Sequence, residues 1–231
     1  ANGGAPMGFY IRYTDPEARK VIAQYYQFLK KHDALFRGNR SHAEVVLLFP
    51  RKAVHSGDVE VVEEFRTMAT KLLDDHVLFD VLPDDQATQD QLAAYLHVVK
   101  VGESKTSELV AGNDLSWFKL PYTVRVSASR SAVDDSLSVH LVNYNREEPP
   151  RGRDGKPSGG RGISDEKPVA VDGGELSLVI PDGVRFNKVE FHTPEVATVV
   201  SLPFEQENGR LRVAVPAFLV YGVLTLRQVS E

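Results

Sequence analysis

The spacing of apolar residues changes near residue 115, and this change constrains the fold more than any other feature of the sequence. Before residue 115, apolar residues either recur at helical spacing or form continuous runs, whereas after it they alternate with polar residues. The first pattern indicates helices that alternate with buried parallel strands, and the second indicates half-buried antiparallel strands. The sequence therefore predicts two units, an α/β domain over 15–115 and a β-sandwich over 116–231.

The first half predicts three strands separated by helices. The sequence Asp-Pro-Glu at 15–17 favours the start of a helix, and Gly38 favours its end. The apolar run Val45–Phe49, which Pro50 ends, is typical of a strand buried on both faces. Further strands are predicted at 77–82 and 97–101, and further helices from Asp58 onward and at 88–96. This order predicts right-handed crossovers and a small parallel sheet.

The second half predicts seven or eight short strands. Val124, Val126 and Ala128 alternate with polar residues, so they would face one side of a sheet. The same alternation recurs as far as a last strand predicted at 218–228. The segment 145–168 breaks the pattern because it is rich in glycine, proline and charge, and a mobile loop is predicted there. The fold predicted for this half is an antiparallel β-sandwich.

Composition excludes several kinds of chemistry and partner. The chain has no cysteine, which rules out disulfides, thiolate metal sites and cysteine nucleophiles. Its formal charge of −5 comes from 27 basic and 32 acidic residues, a balance that argues against nucleic-acid binding. No apolar run approaches the roughly 18 residues that a membrane span requires, so no membrane partner is expected.

Two clusters are candidate binding sites. Arg51, Lys52, His55 and Ser56 follow the first predicted strand at the start of the next helix, where basic groups and free N–H groups suit an anion. A capped surface turn explains the same residues equally well.

The second cluster is aromatic and lies at the junction of the two halves. Trp117, Phe118 and Tyr122 would stack on a sugar ring if they were exposed. The alternative interpretation is that they pack in the seam between the halves.

No arrangement of residues predicts a catalytic centre. The seven histidines have no compact metal-ligand spacing, and surface or helix-end positions are the default expectation for them. Adjacent acid pairs such as Asp84-Asp85 and Asp134-Asp135 point in different directions, so they do not form the facing carboxylates that glycosidic cleavage needs. We therefore predict no catalytic residue, no metal and no cofactor.

Several segments together resemble a region of family 42 β-galactosidases and related glycosidases. The segments in the first half are YYQFLKKH at 25–32, LFRG at 35–38 and AEVVLLF at 43–49. In that family a helix leaves the catalytic (β/α)8 barrel and enters an amidotransferase-like, flavodoxin-like domain that serves trimer assembly. The segments VHLVNYNR at 139–146 and VPAFLVYG at 215–222 resemble the β-sandwich that closes such enzymes.

The resemblance implies a domain order and a function. Residues 1–14 would be the end of the preceding barrel, 15–115 the flavodoxin-like domain, and 116–231 the β-sandwich. No Asn-Glu dipeptide is present, so the family's acid/base glutamate has no counterpart here. The implied function is the non-catalytic C-terminal portion of a β-galactosidase-like glycoside hydrolase, which supports a catalytic barrel and contributes to a trimer.

The alternative hypothesis is a free-standing carbohydrate-binding protein that uses the Trp117 region or the 145–168 loop. Nothing in the chain indicates a location, although a polysaccharide-degrading parent would be exported to the periplasm or the medium.

Overall fold

The structure, a computed structural model, describes residues 16–103, 114–148, 151, 153, 167–181 and 183–228. The predicted barrel remnant at 1–14 lies outside these residues, as does most of the predicted loop at 145–168. The helices are α1 (Pro16–Lys31), α2 (Arg51–His55), α3 (Glu60–Asp74) and α4 (Gln89–Leu92). The strands are β1 (Asn39–Ser41), β2 (Val45–Phe49), β3 (Phe79–Pro83), β4 (His97–Lys100), β5 (Trp117–Lys119), β6 (Val124–Ser131), β7 (Leu137–Asn143), β8 (Gly174–Val179), β9 (Phe186–Thr193), β10 (Val196–Ser201), β11 (Phe204–Glu207), β12 (Arg210–Val215) and β13 (Tyr221–Gln228).

Three parallel strands form a sheet in the order β3-β2-β4. β2 is apolar along its length because both of its faces are covered, and it has the predicted bounds. The apolar stripe of α3, which includes Phe65, Met68 and Leu72, packs against one face of the sheet. The α/β part of the predicted fold class is confirmed. One local prediction is wrong, since the connection at 50–57, expected as a loop, contains the short helix α2. Asp58 lies at the start of the next helix as predicted, because its carboxylate accepts from the Val61 N–H at 3.4 Å just before α3 begins at Glu60.

Two antiparallel sheets pack face to face as a β-sandwich. Their strand orders are β1-β6-β7-β13-β9-β10 and β11-β12-β8-β5. The apolar residues of the predicted alternation form the core between the two sheets, because their side chains point to the same buried layer. The antiparallel β-sandwich is therefore confirmed. Its last strand begins at Tyr221 rather than at residue 218, since Phe218 forms a separate bridge with Val171.

The first helix packs on the β-sandwich rather than on the parallel sheet. The Tyr25 hydroxyl donates to Glu195 at 2.6 Å, and the rings of Phe28 and Tyr221 meet edge to face. β1 pairs with β6 and completes the six-stranded sheet. Residues 16–41 thus contact the antiparallel unit, and the chain enters the parallel sheet only after them.

Candidate functional site

The predicted anion cluster lies on and just after α2. The Arg51 guanidinium donates to both oxygens of the Asp85 carboxylate, with Nε–Oδ1 2.9 Å, Nε–Oδ2 3.2 Å and Nη2–Oδ2 3.0 Å, and this bonding lowers the pKa of Asp85. The Ser56 hydroxyl donates to the Ala53 carbonyl at 2.7 Å. Lys52 and His55 have exposed side chains. Because the Arg51 charge is matched by a carboxylate, the attraction that this cluster offers an external anion is reduced.

The three aromatic residues of the second cluster do not lie on one surface. Trp117 and Phe118 are neighbours on β5 and therefore point to opposite faces. Phe118 is buried in the sandwich core, whereas Trp117 is 39% exposed on the outer face of the four-stranded sheet. Tyr122 is 68% exposed in the connection to β6. Of the three rings, those of Trp117 and Tyr122 are therefore accessible to a ligand and that of Phe118 is not.

A buried carboxylate joins the parallel sheet to the sandwich. Glu44, which immediately precedes β2, is 6% exposed and accepts hydrogen bonds from the Ser116 N–H at 2.8 Å and the Ser116 hydroxyl at 2.5 Å. The Ser116 hydroxyl oxygen in turn accepts from the Val179 N–H at 2.8 Å. Burial raises the pKa of Glu44, although the bonds from Ser116 and the charge of Arg210 oppose this effect. We call this cluster the Glu44–Ser116 joint.

A cavity of about 560 Å³ lies between β3 and the outer part of the six-stranded sheet. We call it the seam cavity. Polar side chains of several elements line it; these are Asn39, Arg40, Ser41, Asp80, Ser127 and Ser129. The rings of Phe36 and Phe79 also line it, together with aliphatic side chains from the end of α3 and from β3.

Asp80 is held in place at this cavity by two hydroxyl groups. Ser41 donates to Oδ1 and Tyr95 donates to Oδ2, each at 2.9 Å. Burial and the Asp80 carboxylate raise the pKa of Tyr95 to about 12, so its hydroxyl stays protonated and remains a donor. Sequence reasoning missed this site, because Asp80 was assigned to a strand interior and its partners are distant along the chain.

Two histidines lie in a buried polar layer between α1 and the six-stranded sheet. His140 is 1% exposed, with Nδ1 2.6 Å from the Tyr221 hydroxyl, and the His192 Nε2 lies 3.1 Å from the Thr225 hydroxyl. Burial lowers the pKa of His140 to about 3 and, with His32 nearby, that of His192 to about 4. The expectation that the histidines occupy the surface or helix ends is wrong for these two.

Within the described residues, no group of three or more His, Asp or Glu side chains is placed to hold a metal ion. The same residues include no helix long and apolar enough to cross a membrane.

Comparison with known proteins gives a structural likeness and no match at the level of sequence. No protein-family model matches the chain, and no curated protein matches it. The α-L-fucosidase isoenzyme 2 from Paenibacillus thiaminolyticus superposes with a TM-score of 0.63 over 94% of this chain, at 11% identity. The chain covers 53% of the fucosidase chain, or about half of its length.

Two other solved structures overlap less. A cycloisomaltooligosaccharide glucanotransferase from Paenibacillus sp., complexed with cycloisomaltoheptaose, gives a TM-score of 0.35 at 11% identity, over 70% of this chain and 27% of that one. The catalytic domain of the GH30 xylanase C from Talaromyces cellulolyticus gives 0.26 at 12% identity, over 59% and 30%. These two superpositions are too limited to define a shared fold. The fucosidase superposition does define one, so the chain has a fold related to that of a glycoside hydrolase.

Proposed function

We propose that this chain is the non-catalytic C-terminal portion of a β-galactosidase-like glycoside hydrolase. In that role it supports a catalytic (β/α)8 barrel and contributes to the assembly of a trimer. The observation that carries the proposal is the fucosidase superposition, which takes in nearly all of this chain but only about half of that enzyme. The presence of a small parallel sheet and a β-sandwich supports the proposal, because these are the two kinds of unit that the family 42 resemblance implies.

The contacts of the described carboxylates support the proposal that this chain is non-catalytic. Glycosidic cleavage needs two carboxyl groups that face one bond, about 5–9.5 Å apart. Here Asp85 pairs with Arg51, Asp135 pairs with Arg130, and Glu190 pairs with Lys188. Glu44 is enclosed in its joint with Ser116. These acids have structural partners, which is the arrangement expected of a supporting domain.

Exposed apolar residues on the parallel sheet suit an assembly contact. Leu96 is 57% exposed just before β4, and Val98 on that strand is 37% exposed. β4 is an outer strand of the described sheet, and an outer strand with apolar side chains favours contact with another domain or subunit. We assign this surface to the assembly contact.

The activity test compares this chain with the longer protein. The gene upstream of Ala1 is expected to encode a barrel with an Asn-Glu motif. The longer protein should hydrolyse a nitrophenyl glycoside, the chain alone should not, and substitution of the barrel glutamate should abolish turnover while Glu190→Gln leaves it intact. Robust hydrolysis by the chain alone, lost on a single Asp or Glu substitution, would contradict the proposal.

The assembly test uses the longer protein and light scattering. A trimer is expected, and Leu96→Asp with Val98→Asp should shift it towards monomer, whereas Val133→Asp should not. Val133 is a matched control because it is 95% exposed in the turn after β6. A trimer that survives the double substitution would remove this surface from the interface.

A second candidate function, carbohydrate binding, is favoured by Trp117. Its exposed ring lies in register with the buried Ser177 of β8, and the exposed Arg212 and Glu205 follow in the same row on the next two strands. An aromatic ring beside polar groups that form hydrogen bonds suits a sugar. Titration calorimetry with oligosaccharides tests this function, and binding that Trp117→Ala leaves unchanged would exclude this surface.

A further inference from the structure

We propose that the seam cavity is a binding site for a neutral, hydroxyl-rich ligand of the size of a mono- or disaccharide. This site is distinct from the Trp117 surface and does not depend on catalysis by a neighbouring barrel. At about 560 Å³ the cavity is within the range of small-molecule sites, roughly 300–1,000 Å³.

The Asp80 carboxylate offers the cavity hydrogen-bond acceptor capacity that the protein leaves unused. Asn39 also lines the cavity, but its amide nitrogen donates to the Leu35 carbonyl at 2.9 Å and its Oδ1 is buried away from solvent. A carboxylate accepts about four hydrogen bonds, and Asp80 accepts one from Ser41 and one from Tyr95. A ligand hydroxyl that donates to Asp80 would use the acceptor capacity that Ser41 and Tyr95 leave free.

A hydroxyl group on the neighbouring strand supplies a donor as well. Ser127 and Ser129 are on β6, and both line the cavity. Their register with His140 and Ser138 places them on the outer face of the six-stranded sheet, opposite the side chains of the sandwich core. The Ser129 hydroxyl accepts from the Asn39 amide at 3.4 Å and lies 3.5 Å from the His140 Nε2, so Ser127 is the serine offered to a ligand. A serine hydroxyl both donates and accepts, which matches the chemistry of a sugar hydroxyl.

The carboxylate held at the cavity favours a neutral ligand over an anion. The Arg40 guanidinium bonds to Asp135 at 2.6 Å, and Arg130 bonds to the same carboxylate at 2.9 Å, so the charge of Arg40 is only partly compensated. The Asp80 carboxylate repels an anion and accepts bonds from hydroxyl donors. The rings of Phe36 and Phe79 add apolar wall against which the C–H face of a sugar would pack.

Titration calorimetry on the full chain tests the site. The probes are D-galactose, L-fucose, lactose and cellobiose, with D-galacturonate as the anionic counterpart of galactose. At least one neutral sugar is expected to bind, and galacturonate is expected to bind at least about tenfold more weakly than galactose if galactose is that sugar. The absence of heat with every neutral sugar would overturn the proposal, as would tighter binding of galacturonate.

Four variants locate the binding. Ser127→Phe fills the cavity and should abolish binding, whereas Ser201→Phe places the same ring on the same outer face, at β10, and should leave binding unchanged. Asp80→Asn removes the charged acceptor and should weaken binding about tenfold, which tests the site independently if Ser127→Phe fails to fold. Wild-type affinity in both cavity variants, or loss of binding in Trp117→Ala with the cavity intact, would overturn the assignment.

Discussion

Removing the Glu44 carboxylate is expected to destabilise the chain by about 3 kcal/mol. Hydrogen bonds to a charged group contribute about 1.5–3 kcal/mol each, and Glu44 accepts two such bonds from Ser116. The cost of burying the carboxylate, which raises its pKa, offsets part of that sum. Glu44→Ala also leaves the buried Ser116 N–H without its acceptor. The net loss should therefore be about 3 kcal/mol, the lower end of the range of about 3–6 kcal/mol for two such bonds.

Glutamine at the same position should cost much less, about 1 kcal/mol. Its amide oxygen still accepts from the Ser116 N–H, and the Ser116 hydroxyl is able to rotate. A raised pKa means that a neutral group is tolerated here better than at an ordinary glutamate. The two substitutions therefore separate the contribution of the hydrogen bonds from that of the charge.

Urea unfolding followed by tryptophan fluorescence measures both losses. The chain has one tryptophan, Trp117, which is adjacent to Ser116 and reports on the joint directly. The control is Glu64→Ala, an exposed acid on α3 that should change the free energy of unfolding by less than about 0.5 kcal/mol. A loss below 1 kcal/mol for alanine, or equal losses for alanine and glutamine, would refute the reasoning.

Two further predictions concern the six-stranded sheet. Burial lowers the pKa values of His140 and His192 to about 3 and 4 in the folded chain. As the pH falls below about 6.5, these two histidines therefore bind protons in the unfolded chain before they do so in the folded one. The free energy of unfolding should fall by up to about 2 kcal/mol for each histidine by pH 5. Urea unfolding between pH 7 and pH 5 should show that His192→Gln reduces this loss and that exposed His55→Gln does not. If the free energy of unfolding of His192→Gln fell with pH as steeply as that of the wild type, the prediction would be contradicted. Gly222→Ala should cost about 1–3 kcal/mol, since a Cβ there would lie 2.5 Å from the Phe191 ring. A thermal midpoint equal to that of the wild type would contradict this prediction.

Hydrophobic spacing was sufficient to predict the fold class, because spacing reports which faces are buried. β2 is continuously apolar and is covered on both faces, as predicted. The alternation along β7 sets His140 on the opposite face from its apolar neighbours Val139 and Leu141, and the structure has it there. Spacing does not show what covers a polar face, however. The segment that follows α1 covers this one, since the Phe36 ring lies 5.5 Å from the His140 ring, and the histidine is therefore buried.

The candidate sites could not be predicted for a related reason. Asn39, Asp80 and Ser127 are far apart in sequence, and each resembles an ordinary polar residue of a strand. They meet only because β1 pairs with β6 and β3 is the outer strand beside them. Trp117 and Phe118 show the reverse case, since they are neighbours in sequence and strand geometry separates them.

The pairing of β1 with β6 makes the parallel unit an insertion in the antiparallel one. The chain leaves the six-stranded sheet after Ser41 and returns to it at Val124, so both ends of the intervening segment are anchored on the sandwich. If the parallel unit unfolds while the sandwich stays intact, the released segment is a closed loop rather than a free tail. A closed loop has less conformational entropy than a free chain, so the sandwich stabilises the inserted unit by restricting its unfolded state as well as through the Glu44–Ser116 joint.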